Sequence, residues 1–402
     1  MKTLSTKFSV LSLLLLFALS ACSNNKTPII SHPVKKAGVN KVSVLDLKAI
    51  QPLDSISSNL KTAKVILVGE SHTNYGHHLN QLAVIKSAYK NWGINTSIGL
   101  EMIQKPYQRL LDDYVAGKIS EHEMLHGVQW YDRWKYDFRL YRPIFTFARQ
   151  HRIPLIALNI PRELTKRVSK VGIEDLNKTE RSQLPKVLDK SNPAYVARIK
   201  KVFGMHSHGG AKKDGGEFNR FLEAQLAWDE GMAFNATKYL KSNPEKHMVI
   251  LAGSGHLINR EGIPSRLDRQ AGIKSIVILS DVDETPSAKQ ADYLLFSAES
   301  ELPPAGLIGI GMEQTDAGVK VSAVSPQSAA SKAGLKKGDI ILALDQDVIK
   351  TTSDVSLWRL DKKPGESVKV KLRRNKQILI KPLKLGMANN HSPFDMSRVH
   401  KK

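Results

Sequence analysis

The chain has 402 residues, 41% of them hydrophobic, one cysteine and a formal net charge of +22. This length and apolar content are enough for two domains with cores of their own, and one cysteine excludes internal disulfides as their source of stability. The charge favours an anionic partner (membrane phospholipid, lipopolysaccharide, peptidoglycan, or a carboxylated or phosphorylated ligand), and the lack of any nucleic-acid motif argues against DNA or RNA.

In chain order, a leader comes first. Lys2 and Lys7 precede an apolar run over residues 10–19, and Ala18-Leu19-Ser20-Ala21 is a small-residue cleavage site. Residues 1–21 therefore read as a signal peptide, too short in its apolar part for a comfortable membrane span. Leu19-Ser20-Ala21-Cys22 resembles a bacterial lipobox, whose cysteine is lipidated and becomes the mature N-terminus. The resemblance implies a lipid anchor at Cys22, with Ser23 permitting sorting to the outer membrane. Residues 22–41 read as a polar tether, which predicts a protein of the bacterial cell envelope.

From residue 42 to 297, apolar strand-like runs alternate with amphipathic helical stretches. The clearest strands are residues 65–68, 98–100, 155–158, 248–252 and 275–279. His78, Leu82, Ile85, Tyr89 and Trp92 recur at helical spacing, and Pro106 can open a helix carrying Leu110, Leu111 and Tyr114. The alternation predicts an α/β fold, a mostly parallel sheet flanked by helices.

Four strand ends carry unusual polar residues. The first gives Gly69-Glu70-Ser71-His72, the second Glu101, the third Asn159, Pro161 and Arg162, and the fourth Gly253-Ser254-Gly255-His256 with Arg266 beyond. Residues past the carboxyl ends of parallel strands line the ligand crevice of an open sheet. Each turn alone also fits a histidine that satisfies backbone groups, but four loaded ends point to one pocket. Phe218, Phe221, Leu222, Gln225, Asp229 and Met232 share one helical face, so Gln225 and Asp229 interrupt an apolar stripe. A buried Asp229 requires a cation, for which Arg162, Arg266 or a histidine qualifies.

Residues 298–306 read as a linker. Residues 307–386 then change to short strands with frequent glycine, and the order Ser325-Pro326-Gln327-Ser328-Ala329-Ala330, Ala333-Gly334-Leu335, Gly338-Asp339-Ile340 resembles a PDZ domain of the bacterial protease type. That resemblance implies a small β-rich domain in which Gly309, Ile310 and Gly311 border a groove for a peptide's C-terminal carboxylate. Residues 387–402 form a basic tail.

The first domain resembles the ChaN family in Gly69-Glu70-Ser71-His72 with His77-His78, Leu100-Glu101-Met102, Asn159-Ile160-Pro161-Arg162, Gln225 with Trp228-Asp229-Glu230, and Gly253-Ser254-Gly255-His256. The resemblance implies haem as cofactor, a role in iron uptake or handover to an outer-membrane haem receptor or other envelope protein, and a homodimer holding a cofacial haem pair with tyrosine on iron. Through the wider Tiki and TraB group it also implies an alternative, a metal-dependent peptidase. In that reading His72 and His256 hold a divalent metal such as zinc, manganese or cobalt, and Glu70 or Glu101 is the base. For haem, the segment 192–208 offers Tyr195 as iron ligand, His206 as support, Phe203 against the porphyrin and Arg198 near a propionate. Tyr75, Tyr107 and Tyr136 are rivals.

Overall fold

The computed structural model describes residues 46–206, 216–280, 286–296 and 300–387. The leader, Cys22, the tether, His208 and the tail from 388 lie outside the described residues, as does the side chain of His206. The chain divides into two compact units, Met1–Ala49 and Ile50–Lys402. The described part of the first is residues 46–49, with a 3-10 turn at Leu47–Ala49. Both sheets belong to the second.

The first sheet contains β1 (Val65–Glu70), β2 (Thr96–Gln104), β3 (Leu155–Asn159), β4 (His247–Gly253), β5 (Ile276–Leu279) and β6 (Tyr293–Leu294). Its order is β3-β2-β4-β1-β5-β6 with every pair parallel, as the alternation predicts. Helices cover both faces, so β1 and β2 are buried along their whole length, with Val65–Val68 apolar throughout and polar Glu70, Glu101 and Gln104 toward the carboxyl ends.

On one face lie α1 (Ser57–Thr62), α2 (Tyr75–Trp92), α3 (Gln108–Val115), α4 (Glu121–Gly127), α5 (Trp130–Arg133) and α6 (Arg142–Gln150), around a core that includes Ile66, Val68, Leu100, Trp130 and Phe145. Past β3 come α7 (Arg162–Val171), α8 (Lys178–Ser182), α9 (Pro193–His206) and α10 (Glu217–Ser242), and after β4 comes α11 (Ile263–Ala271). Met232 and Ala236 of α10 and Leu267 of α11 pack under Leu67, Ile250 and Leu279 on the other face. The approach of α10 to the residue after β3 is close. A methyl group on Gly231 would fall inside van der Waals contact of Ile160 Cγ2.

The second sheet is antiparallel. It holds β7 (Ile310–Thr315), β8 (Gly318–Val324), β9 (Ile340–Leu344), β10 (Asp347–Val348), β11 (Ser367–Arg374) and β12 (Gln377–Lys384) in the order β12-β11-β9-β8-β7, with β10 on β9. Its core of Val319, Ile341, Leu344, Val370 and Leu372 is closed by α12 (Ala329–Lys332) and α13 (Thr352–Arg359).

The segment read as a linker is tied down where it is described. Leu302 packs on the first domain's core, and Arg139 Nη1 donates to the Pro303 carbonyl at 2.8 Å. Leu357 of α13 and the adjoining Leu360 are buried in the first domain's core, beside Trp130. Ser353 Oγ donates to Asp132 Oδ1 at 2.6 Å, and Arg142 pairs with Asp361 at 2.7 Å. Among the described residues, no helix is long and apolar enough to cross a membrane.

Candidate functional site

Because the strands are parallel, the carboxyl ends of β1, β2 and β4 open side by side, with β4 between the other two. Glu70 closes β1, and His72 turns back so that its Nδ1 donates to Glu70 Oε1 at 2.5 Å. His78 of α2 approaches from beneath, Nε2 standing 3.8 Å from Glu70 Oε2. The start of α2 is fixed by Asn74, which accepts from His77 N, while His77 Nδ1 accepts from Ser71 N.

A second chain of contacts begins on β2. Glu101 Oε2 accepts from Gly253 N at 2.6 Å, and its Oε1 lies 3.3 Å from His256 Nε2. His256 Nδ1 donates to Asp229 Oδ1 at 2.5 Å, and Asp229 Oδ2 accepts from the Tyr195 hydroxyl at 2.8 Å. The two chains meet at Gly253. A Cβ there would sit 2.9 Å from His72 Cε1, too close to stand without a shift of the ring, and in ordinary contact with Glu101 Oε2 at 3.7 Å.

The charges follow from this geometry. Burial alone would lower the His256 pKa, but Glu101 and Asp229 on its two nitrogens raise it well above the ordinary value. His256 is therefore an imidazolium donating twice. Burial would raise Glu101, but the His256 and His72 charges hold it at about 2. Asp229 is lowered in the same way, by His256, Arg266 and the Tyr195 hydroxyl against its burial. His72 opposes its burial through Glu70 and ends raised.

The pocket residues read from the sequence sort into three groups. Glu70, His72, Glu101, Asp229 and His256 converge. Asn159 supports them, its Nδ2 donating to the Glu101 carbonyl at 2.9 Å. The others face elsewhere. Arg162 Nη1 donates to the Asp132 carbonyl, Arg266 is buried against Glu230 and over the Tyr195 ring, and half-buried Gln225 makes no hydrogen bond to the cluster. The cation that Asp229 requires is thus chiefly the histidine.

The segment expected to cover the sheet end is α9, packed on α10 instead. Tyr195 is 1% exposed within a core of Ile199, Leu222 and Leu226, and burial followed by the Asp229 carboxylate drives its phenol pKa strongly up. As folded it does not present a phenolate to iron, which corrects the expectation. Arg198 is engaged with Glu261 and the Gly255 carbonyl, and Phe203 with Phe218 and Phe221. The divalent-metal reading also lacks a ligand set as folded. Among the described residues no three His, Cys, Asp or Glu side chains are spaced to hold an ion, since the carboxylates are committed to the imidazoles.

The sequence reading held Tyr136 only as a rival iron ligand and passed over Trp134, and both stand at the mouth of the site. Trp134 and Tyr136 both lie against the His72 ring, at centroid distances of 4.8 Å. They flank Lys135, whose φ of 74° turns the chain so that both neighbours face the histidine. The overlooked signal was aromatic density, with Trp130, Tyr131, Trp134, Tyr136, Phe138 and Tyr141 in one short stretch.

In the second domain β7 is an edge strand, as a peptide-accepting groove requires. Gly309 just before it has φ 83°, a left-handed conformation that glycine adopts without strain, and a Cβ there would collide with Ser328.

A parallel sheet with a histidine–carboxylate cluster across its strand ends, followed by a PDZ-type sheet, defines a two-domain α/β ligand-binding protein. The chain belongs to the family described as haem-binding uptake, Tiki superfamily, ChaN, matched over residues 56–267. A PDZ domain is matched over residues 306–383. Among solved structures, cofacial haem binding to ChaN of Campylobacter jejuni is similar at a TM-score of 0.51 and 19% identity, covering 61% of this chain and 92% of that one. At that identity the likeness is one of fold. The serine protease Do-like HtrA of Bacillus subtilis is 38% identical over 81 residues, or 20% of this chain and 18% of that protein. The serine endoprotease of Yersinia pestis is 29% identical, with a TM-score of 0.20 and coverage of 21% and 30%. The chain thus spans less than a fifth of the curated relative.

Proposed function

We propose that the first domain binds haem at the mouth of the strand-end cluster and carries it within the cell envelope for handover to an outer-membrane receptor or another envelope protein. Membership of a haem-binding family supports the cofactor. The single observation that carries the site is the aromatic donor set, with half-buried Tyr136 beside partly exposed His72 and Trp134. Ferric haem accepts phenolate or imidazole, and aromatic faces pack on a porphyrin. Glu70 Oε2 is buried without a hydrogen-bond partner, which suits a cationic centre overhead. Tyr136 takes the role of iron ligand in this reading. Its phenol is raised by burial and then by Glu70 and Glu101, so only a bound cation brings it to ionise at neutral pH. Exposed Lys135, its neighbour in the chain, offers a cation for a propionate.

Haem titration followed by absorbance tests this. The unaltered protein should develop a Soret band, Tyr136→Phe should shift or abolish it, and Tyr195→Phe should leave it unchanged. No Soret change in the unaltered protein would overturn the function, and the reverse behaviour of the two variants would return the ligand to Tyr195. Kinship with the Tiki superfamily leaves a second reading, the metal-dependent hydrolase, for which the His72 and His256 pairs would have to rearrange around an ion. Divalent metal and peptidase activity in protein that takes up no haem would select it.

We infer further that Cys22 carries a lipid anchor, that the protein pairs as a homodimer across the haem face, and that the groove beside β7 takes the C-terminus of an envelope partner. The lipobox-like Leu19-Ser20-Ala21-Cys22 supports the anchor. Cys22→Ser protein should leave the membrane in a high-salt wash, and its retention would count against the anchor.

A further inference from the structure

The sheet of the second domain buries one face, through Val368, Val370, Leu372 and Leu383. Residues directly opposite in an antiparallel pair point the same way, about 5 Å apart. The other face of β11 and β12 therefore sets Lys369 against Pro382, Lys371 against Ile380, Arg373 against Ile378 and Ser367 against Lys384. Lys369 and Lys371 are exposed, and Ile378 and Ile380 are 53% and 63% exposed.

From Ser367 to Lys384 there is no acidic and no aromatic residue, while Lys376 at the turn adds to the cations. Among the described residues, only Arg374 of this hairpin is ion-paired, to Asp339. The nearby carboxylates of Asp345 and Glu366 are held by Lys362. Lysine and proline on an edge strand guard against strand-to-strand aggregation, and that would account for Lys381, Pro382 and Lys384. It does not account for two exposed isoleucines, which promote such association. Unpaired cations set in alternation with aliphatic side chains complement one kind of surface, in which phosphates lie over hydrocarbon.

We propose that the outer face of the β11–β12 hairpin docks on an anionic lipid bilayer, its lysines and Arg373 on headgroup phosphates and Ile378 and Ile380 at the acyl boundary. Soluble phosphate or nucleic acid would satisfy the cations and leave the isoleucines exposed. Single-stranded nucleic acid is also met by aromatic platforms, which this face lacks. The strand order puts β7 at the opposite edge of the sheet, so docking leaves the peptide groove open. The inference does not depend on the proposed anchor at Cys22 or on haem.

The test uses a chain beginning at residue 46, which keeps every core described above and has no cysteine. Co-sedimentation with vesicles of phosphatidylcholine, alone or mixed with phosphatidylglycerol, should show binding about tenfold stronger to the anionic vesicles, falling as salt rises to about 0.5 M. Lys369→Glu with Lys371→Glu should lower it about tenfold, and Ile378→Ser with Ile380→Ser severalfold, with thermal unfolding unchanged. In a second measurement, an environment-sensitive dye on Ile380→Cys should report an apolar setting on anionic vesicles only. Equal binding to both vesicle types, or unaltered binding by both double variants, overturns the proposal. So does binding that duplex DNA or inorganic phosphate abolishes and the isoleucine changes leave intact, which would mark a polyanion site.

Discussion

His256 is held between two carboxylates, and Glu101 is held by two imidazoles. The sign of the pH dependence follows. Glu101 has an ordinary value near 4.5 and is depressed to about 2 in the fold. Its contribution to stability is full above about 4.5 and is lost as pH falls towards about 2. Urea midpoints measured between those values should fall steeply for the unaltered protein and less steeply for Glu101→Gln. His256 is raised, so its contribution is full below its unfolded value of 6.5 and is lost as pH climbs through its folded value. Asp229→Asn removes one of the charges that raise it. The imidazole titration followed by NMR should then move down in pH, and an unmoved titration would mean that Glu101 alone sets the charge.

At the scale of elements, the site depends on how closely α10 lies on the sheet, because Asp229 reaches His256 from that helix. Gly231 is two residues further on and sits against Ile160. Gly231→Ala should therefore force the helix outward rather than improve it, despite alanine's higher helix propensity. A loss of about 1–3 kcal/mol is expected in chemical unfolding, the usual cost of overpacking. A gain in stability would show that α10 shifts freely. The α5 segment acts in a similar way at the mouth. Gln129 and Lys135 on either side of it have φ of 56° and 74°. The chain enters and leaves that short helix by left-handed turns, which present Trp134 and Tyr136 to His72.

At the scale of the whole molecule, the two domains share buried surface. Leu357 and Leu360 belong to the chain's second domain but lie in the first domain's core, and Ser353 reaches Asp132. Arg162 donates to the carbonyl of that same Asp132, so helices α13, α5 and α7 are in contact through one aspartate. Leu357→Ala and Leu360→Ala should each cost about 2–5 kcal/mol, as large-to-small changes in a packed core do. Calorimetry should resolve the double variant into two transitions where the unaltered protein shows one. A single transition in the double variant would mean that the remaining polar contacts suffice to couple the domains.

The amino-acid sequence by itself determined the five main strands of the first sheet, the parallel arrangement, the PDZ-type second domain and the residues at three strand ends. It did so because strands buried on both faces carry short, largely apolar runs, and because glycine turns followed by histidine stand out against that background. Glu70 and His72 are two residues apart, so their pairing lay within reach of local reading. Glu101, Asp229 and His256 come from β2, α10 and the end of β4, and only the insertion of β4 between β1 and β2 makes them neighbours. The helical spacing put Asp229 and its neighbours on one face but left open which cation met it. The fate of Tyr195 was equally a tertiary matter. Its phenol is as good an iron ligand as any in isolation, but α9 packs on α10 and gives the hydroxyl to Asp229, while Tyr136 stands at the mouth. Sequence patterns report burial, which is local to a strand or helix face, whereas the pairing of charges depends on strand order and helix docking across tens to hundreds of residues.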